Sequence, residues 1–155
     1  MKLNDLSVPA REDALHACCG SIAWVRKMMA IFPVKDEAHL LDAATQLWYE
    51  CAPVDWLEAF HHHPKIGAAT DDKQAAVEQS SVASATDNVL YRLAEGNRIY
   101  EEKFGFIFIV FATGKSAEEM LTLLTERLPN AADEEIKIAM QEQDKITRIR
   151  LKKLL

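Results

Sequence analysis

The run Phe104–Ala112, FGFIFIVFA, is the one stretch of this chain with strong strand propensity. No second stretch offers it a strand partner, and a lone strand leaves its backbone N–H and C=O groups unpaired. The run is therefore expected to be a buried helical or irregular segment, with Gly105 marking a break.

The remaining periodic sequence is helical. In residues 36–51, Leu40, Ala44, Leu47, Trp48 and Cys51 recur at i, i+4, i+7, i+8 and i+11, which is one face of a helix. Ser21 opens another, with Ile22, Val25, Met29 and Phe32 on one side and Pro33 as its stop. Pro53 suits the first turn of a short helix carrying Trp56, Leu57 and Phe60. Thr86 can cap a segment running through Lys103, with Val89, Leu93, Tyr100 and Phe104 on a common side. Ser116 and Glu119 have capping-box spacing ahead of Ala117, Met120, Leu121, Leu124 and Leu128, and Pro129-Asn130 ends that helix. A last helix, with a less regular pattern, is expected from Asp133 to about Leu154, and one more within residues 5–19. Several helices with short connections and no sheet partner predict an all-α fold, a single-domain helical bundle over residues 1–155.

A chain of 155 residues, 49% hydrophobic and 27% charged, has the composition of a globular domain with a sizeable core. Its net charge of −6 is the wrong sign for nucleic-acid phosphates or an anionic membrane surface. No apolar run approaches the roughly 20 residues of a membrane span, and the N-terminal stretch carries charges where a signal peptide needs apolar residues. Cys18, Cys19 and Cys51, an odd count with an adjacent pair, make a poor disulfide framework. The expected setting is a reducing, cytoplasmic one, without nucleic acid or membrane as partner.

Four groups of residues stand out as carriers of chemistry. The first is His61-His62-His63-Pro64-Lys65-Ile66-Gly67. Consecutive histidines on a helix point about 100° apart, whereas metal pairs sit at i, i+4, so no metal is expected here. Solvated histidines at a helix end are the ordinary alternative for His61 and His62. His63 differs, because Pro64 excludes the α conformation before it. An imidazole fixed beside a turn is a good general acid or base near neutral pH. The second group is Glu78-Gln79, a carboxylate able to orient an imidazole and an amide able to bind a urea-like edge, against the alternative of a solvated helix face. The third is Asn97, Tyr100 and the Lys103–Phe106 break, where freed backbone groups can face a flat polar heterocycle if the aromatics are not simply core. The fourth is the basic end, Lys145 to Lys153. Most of its charges complement a helix terminus, but one buried Arg there can grip a carboxylate or a carbonyl-rich ring. No phosphate loop, nucleophile elbow or zinc spacing is present in the sequence. Its chemistry is expected to run on His, Glu and Arg without a cofactor.

Taken in order, H-P-K-I-G, E-Q, Y-E-E-K-F-G-F-I-F-I-V and K-I-T-R-I-R-L-K-K-L-L resemble the 2-oxo-4-hydroxy-4-carboxy-5-ureidoimidazoline (OHCU) decarboxylase family, which completes the conversion of urate to allantoin. The resemblance runs from His63 to Leu155. It implies an all-helical, cofactor-free enzyme, usually a homodimer, with a small-molecule substrate and allantoin as product. It implies His63 as the catalytic acid/base and Glu78 as the second catalytic residue. It implies Pro64, Gln79, Phe108, Ile109, Val110, Phe111, Ala112 and Arg150 as substrate-binding positions. Two positions depart from the family's common pattern: Ala75 stands where Ser is usual, and Ile107 where many members have Pro. A non-catalytic interaction module on the same fold, or a metal-dependent hydrolase using His61 and His63, are the competing expectations.

Overall fold

The computed structural model describes residues 2–66, Glu78 and residues 86–155. Over these residues the chain forms helices α1 (Lys2–Asp5), α2 (Val8–Cys18), α3 (Ile22–Met29), α4 (Glu37–Tyr49), α5 (Pro53–Phe60), α6 (Asp87–Phe104), α7 (Ala117–Arg127) and α8 (Ala132–Lys152). No strand occurs among the described residues, so the all-α expectation stands. The backbone divides into two compact units, residues 1–60 with 141–155, and residues 61–140.

In the first unit α3 packs against α2, α4 and α5. Ser7, Ser21 and Asp36 cap α2, α3 and α4, each side chain accepting a backbone N–H of the first turn. The core centres on Trp24, Trp48, Trp56 and Phe60. Each indole N–H needs an acceptor when buried. Trp24 donates to the Ala44 carbonyl at 3.1 Å, and Trp56 to the Trp48 carbonyl at 3.0 Å. Trp24 also explains where the expected face of α3 fails. Ile22 is 49% exposed and the helix ends at Met29, while Trp24, Val25 and Met28 are buried. Turning the largest side chain inward buries more apolar area than Ile22 offers and satisfies its indole.

In the second unit α6 packs against α7. Gly96 makes the close approach: a Cβ there would lie 2.9 Å from Leu124 Cδ2. Thr86 and Ser116 cap the two helices as their spacing predicts, with Ser116 accepting the Glu119 N–H at 3.1 Å. Gly105 closes α6 in the left-handed conformation, φ 80°, its N–H donating to the Glu101 carbonyl at 2.8 Å. Beyond it, residues 105–112 are neither helix nor strand, as expected for an apolar run without a partner. A Cβ on Gly105 would meet no atom within 4 Å, so Gly105→Ala tests backbone conformation alone. It should cost about 1–2 kcal/mol, read as a lower denaturation midpoint with unchanged slope. An unchanged midpoint would show that the turn does not need its left-handed residue.

α8 has an irregular hydropathy pattern because much of its buried surface is polar. Glu135, Gln143, Asp144, Thr147 and Arg150 are all buried. Asp144 accepts from Thr45 Oγ1 at 2.9 and 3.0 Å, while Arg148 donates to the Leu41 carbonyl at 2.9 Å and to Thr45 Oγ1 at 3.0 Å. Burial pushes the Asp144 carboxyl above the usual range, against the opposing pull of Thr45 and Arg148. No described helix is long and apolar enough to cross a membrane.

Candidate active site

His63 lies just beyond α5, in a bend that follows the His61-His62 turn. His61 and His62 are exposed, whereas His63 and Pro64 are half-buried. Ile66 at the far end of this turn is buried, and Lys65 pairs with Glu101 at 3.0 Å on the surface of α6. The turn is held from beneath by Asn97, whose Nδ2 donates to the Ile66 carbonyl at 3.1 Å. Proline at position 64 and the Asn97 tether at Ile66 thus fix the chain just after the imidazole. Glu78 is helical and buried, with 9% exposure. Gln79 and Ala75 lie outside the described residues. Among the described residues no group of three or more His, Cys, Asp or Glu is placed to hold a metal ion.

The segment Phe108–Ala112 is buried except for the half-buried Phe111. Its rings and carbonyls are both anchored. Phe106 and Phe108 pack edge-on to Tyr100, with centroids 5.8 and 5.3 Å away. The Arg127 guanidinium lies over the Phe108 ring, 4.5 Å from its centroid, and Arg127 Nη1 donates to the Ile109 carbonyl at 2.7 Å. Lys115 Nζ donates to the Phe111 carbonyl at 2.6 Å, and the Lys115 N–H to the Ala112 carbonyl at 3.0 Å. Three of the carbonyls that the chain break was expected to free are thus used to hold the segment itself.

Arg127 is in turn fixed by a buried cluster that sequence reasoning missed. Glu135, with no exposure, accepts on Oε1 from Arg127 Nε and Nη2 and from the Tyr100 hydroxyl, each at 2.6 Å. Asn130 Nδ2 donates to Glu135 Oε2 at 2.9 Å. Burial keeps the Tyr100 phenol in its neutral, donating form, with Arg127 opposing the shift and Glu135 adding to it. The available signal was a tyrosine in an apolar helical stripe, whose hydroxyl must find a partner once buried.

Arg150, in the first unit, is 5% exposed, and its Nη1 donates to the Ala17 carbonyl at 3.5 Å. It is the buried arginine expected in the basic end of the chain. The cysteines are all free and buried. Burial pushes the Cys19 thiol up to about 12, and burial with the nearby Asp55 pushes Cys51 up to about 11. Neither is a thiolate near neutral pH, which leaves both poor nucleophiles.

Residues 61–140 thus carry both a histidine on a proline-fixed turn and an anchored apolar segment, in a fold whose described residues form helices and no strand. The OHCU decarboxylase family model matches residues 4–152, and the chain belongs to that family. It is 40% identical over 152 residues to the uric acid degradation bifunctional protein TTL of Arabidopsis thaliana, which covers 92% of this chain and 47% of that protein. The chain thus spans about half the length of that relative. It is 32% identical over 127 residues to the 2-oxo-4-hydroxy-4-carboxy-5-ureidoimidazoline decarboxylase of Amia calva, covering 76% of this chain and 72% of that protein. A solved OHCU decarboxylase, crystallised in the presence of (S)-allantoin, superposes with a TM-score of 0.81 at 38% identity, over 92% of this chain and 96% of that one. An (S)-allantoin synthase shares the fold at 18% identity and a TM-score of 0.76, over 99% of this chain and 52% of that one.

Proposed function

We propose that this chain decarboxylates 2-oxo-4-hydroxy-4-carboxy-5-ureidoimidazoline to (S)-allantoin, as one domain, without a cofactor, as a cytoplasmic homodimer. The observation that carries the reading is the likeness, at 38% identity and nearly full length on both sides, to an OHCU decarboxylase crystallised with (S)-allantoin. The chemistry supports it. The substrate bears a hydroxyl and a carboxylate on one ring carbon, next to a ring C=N. As CO2 leaves, the bonding pair forms a C=C bond to the neighbouring carbon and the C=N pair moves onto nitrogen. The ring is its own electron sink, so the protein supplies position and protons. His63 takes the hydroxyl proton as the carbonyl forms and returns a proton to the adjacent ring carbon on one face. A second proton, from solvent, neutralises the ring nitrogen.

Glu78 orients His63 or the ureido group, and Pro64, Gln79 and Arg150 hold the ring and its substituents. Backbone groups of residues 108–112, a segment held in place through the Ile109, Phe111 and Ala112 carbonyls, complete the grip. Preorganised groups of this kind supply rate without reorganising during the reaction.

The test is optical. The substrate is made in situ from urate with urate oxidase and hydroxyisourate hydrolase, and circular dichroism is followed after adding this protein. Rapid growth of an (S)-allantoin signal is expected. Slow racemic decay at the protein-free rate would overturn the reading and favour a binding module on the same fold.

A further inference from the structure

Asn97 lies on α6 one turn before Tyr100 and is 3% exposed. Its Nδ2 donates to the carbonyl of Ile66, three residues beyond His63. A carbonyl accepts and does not donate, so this contact settles which end of the amide is nitrogen and leaves Oδ1 as an acceptor. Oδ1 is buried and has no hydrogen-bond partner among the described residues. Native interiors pair their buried polar atoms, and an exception marks a place where something else supplies the donor.

We infer that Asn97 is a substrate-binding residue: its Oδ1 accepts a hydrogen bond from a ring or ureido N–H of the substrate, while its Nδ2 holds the turn that carries His63. The inference rests on the function proposed above. It gives one amide two tasks on opposite atoms, and it gives the site a sense of direction. A carboxylate oxygen is repelled by a carbonyl-type acceptor and an N–H is attracted, so the N–H edge of the substrate turns toward α6 and the departing carboxylate turns away from it.

The test compares wild type, Asn97→Leu and Asn97→Asp in the coupled circular-dichroism assay, with (S)-allantoin as the probe for binding. An inactive wild type would overturn the proposed reaction and leaves Asn97 to be judged on (S)-allantoin binding alone. With an active wild type, Asn97→Leu should raise KM about tenfold or more, the scale of one lost buried hydrogen bond. It should also lose the thermal shift given by (S)-allantoin. A wild-type KM in Asn97→Leu would overturn the inference. Should the Leu variant fail to fold, Asn97→Asp decides. Its carboxyl mimics the amide only when protonated, donating to Ile66 and accepting from the ligand. Burial against the Ile66 carbonyl raises this carboxyl above its ordinary value of about 4, so its affinity for (S)-allantoin, relative to wild type, should recover as pH falls from about 8 to about 5. A ratio flat with pH would overturn the inference, as would a crystal structure with (S)-allantoin in which water, not the ligand, occupies Oδ1.

Discussion

His63→Asn is expected to keep the fold and abolish the stereospecific growth of the (S)-allantoin signal. Asn follows the imidazole closely in its hydrogen-bonding reach but does not exchange a proton near neutral pH, so the variant separates binding from proton transfer. The expected loss is about a hundredfold to ten-thousandfold in kcat, the usual range for a positioned acid–base group. Affinity for (S)-allantoin should change far less. Because His63 is half-buried in a bend and not in a helix, the midpoint of thermal unfolding should stay near that of wild type. Full activity in His63→Asn would remove His63 from the mechanism. Alanine at His61 or His62, both exposed, should be mild, and a loss as large as that of His63→Asn would point instead to chemistry shared among the histidines.

The second large effect is expected at Arg127. Replacing it by Met leaves the Glu135 carboxylate, which has no exposure, with the Tyr100 hydroxyl and Asn130 as its donors. Stranding a buried charge in this way typically costs about 3–5 kcal/mol. The same change releases the Ile109 carbonyl and strips the cation from the Phe108 ring. Arg127→Met should therefore lower both stability and turnover. The informative variant is the double one, Arg127→Met with Glu135→Leu. An apolar replacement of both partners of a buried pair restores much of the stability lost on breaking it. It does not restore the tether on Ile109. Denaturant unfolding should show substantial recovery while the turnover assay shows little. Recovery of both would mean that the segment at 108–112 is held well enough by its rings and by Lys115.

The difference between these two sites explains what could be read from the amino-acid sequence. His63 announces itself through its neighbour, because proline restricts the residue before it. The caps at Thr86 and Ser116 and the break at Gly105 are equally local, each set by residues within one turn of chain. Arg127 and Glu135 are eight positions apart across a turn, and Tyr100 lies a helix away, so their meeting is a product of packing. α8 read as irregular for the same reason: its buried polar residues are chosen by partners such as Thr45, which no periodicity in α8 encodes. The face of α3 was misread because apolar spacing alone gives Ile22 and Trp24 equal claims. The indole N–H and its acceptor on α4 break that tie. Glu78 and Gln79 were legible by resemblance to a family, not by any local signal of their own.

The buried thiols have a practical consequence. Cys18 and Cys19 are each 1% exposed and Cys51 is 6% exposed, and all three belong to the unit formed by residues 1–60 and 141–155. A thiol-specific label can reach them only when that unit opens, since attack requires both access and a thiolate. The rate of labelling then reports the opening equilibrium of one half of the chain without any probe being engineered into it. Set beside an optical measure of the other half, it would tell whether the two halves come apart together or in turn.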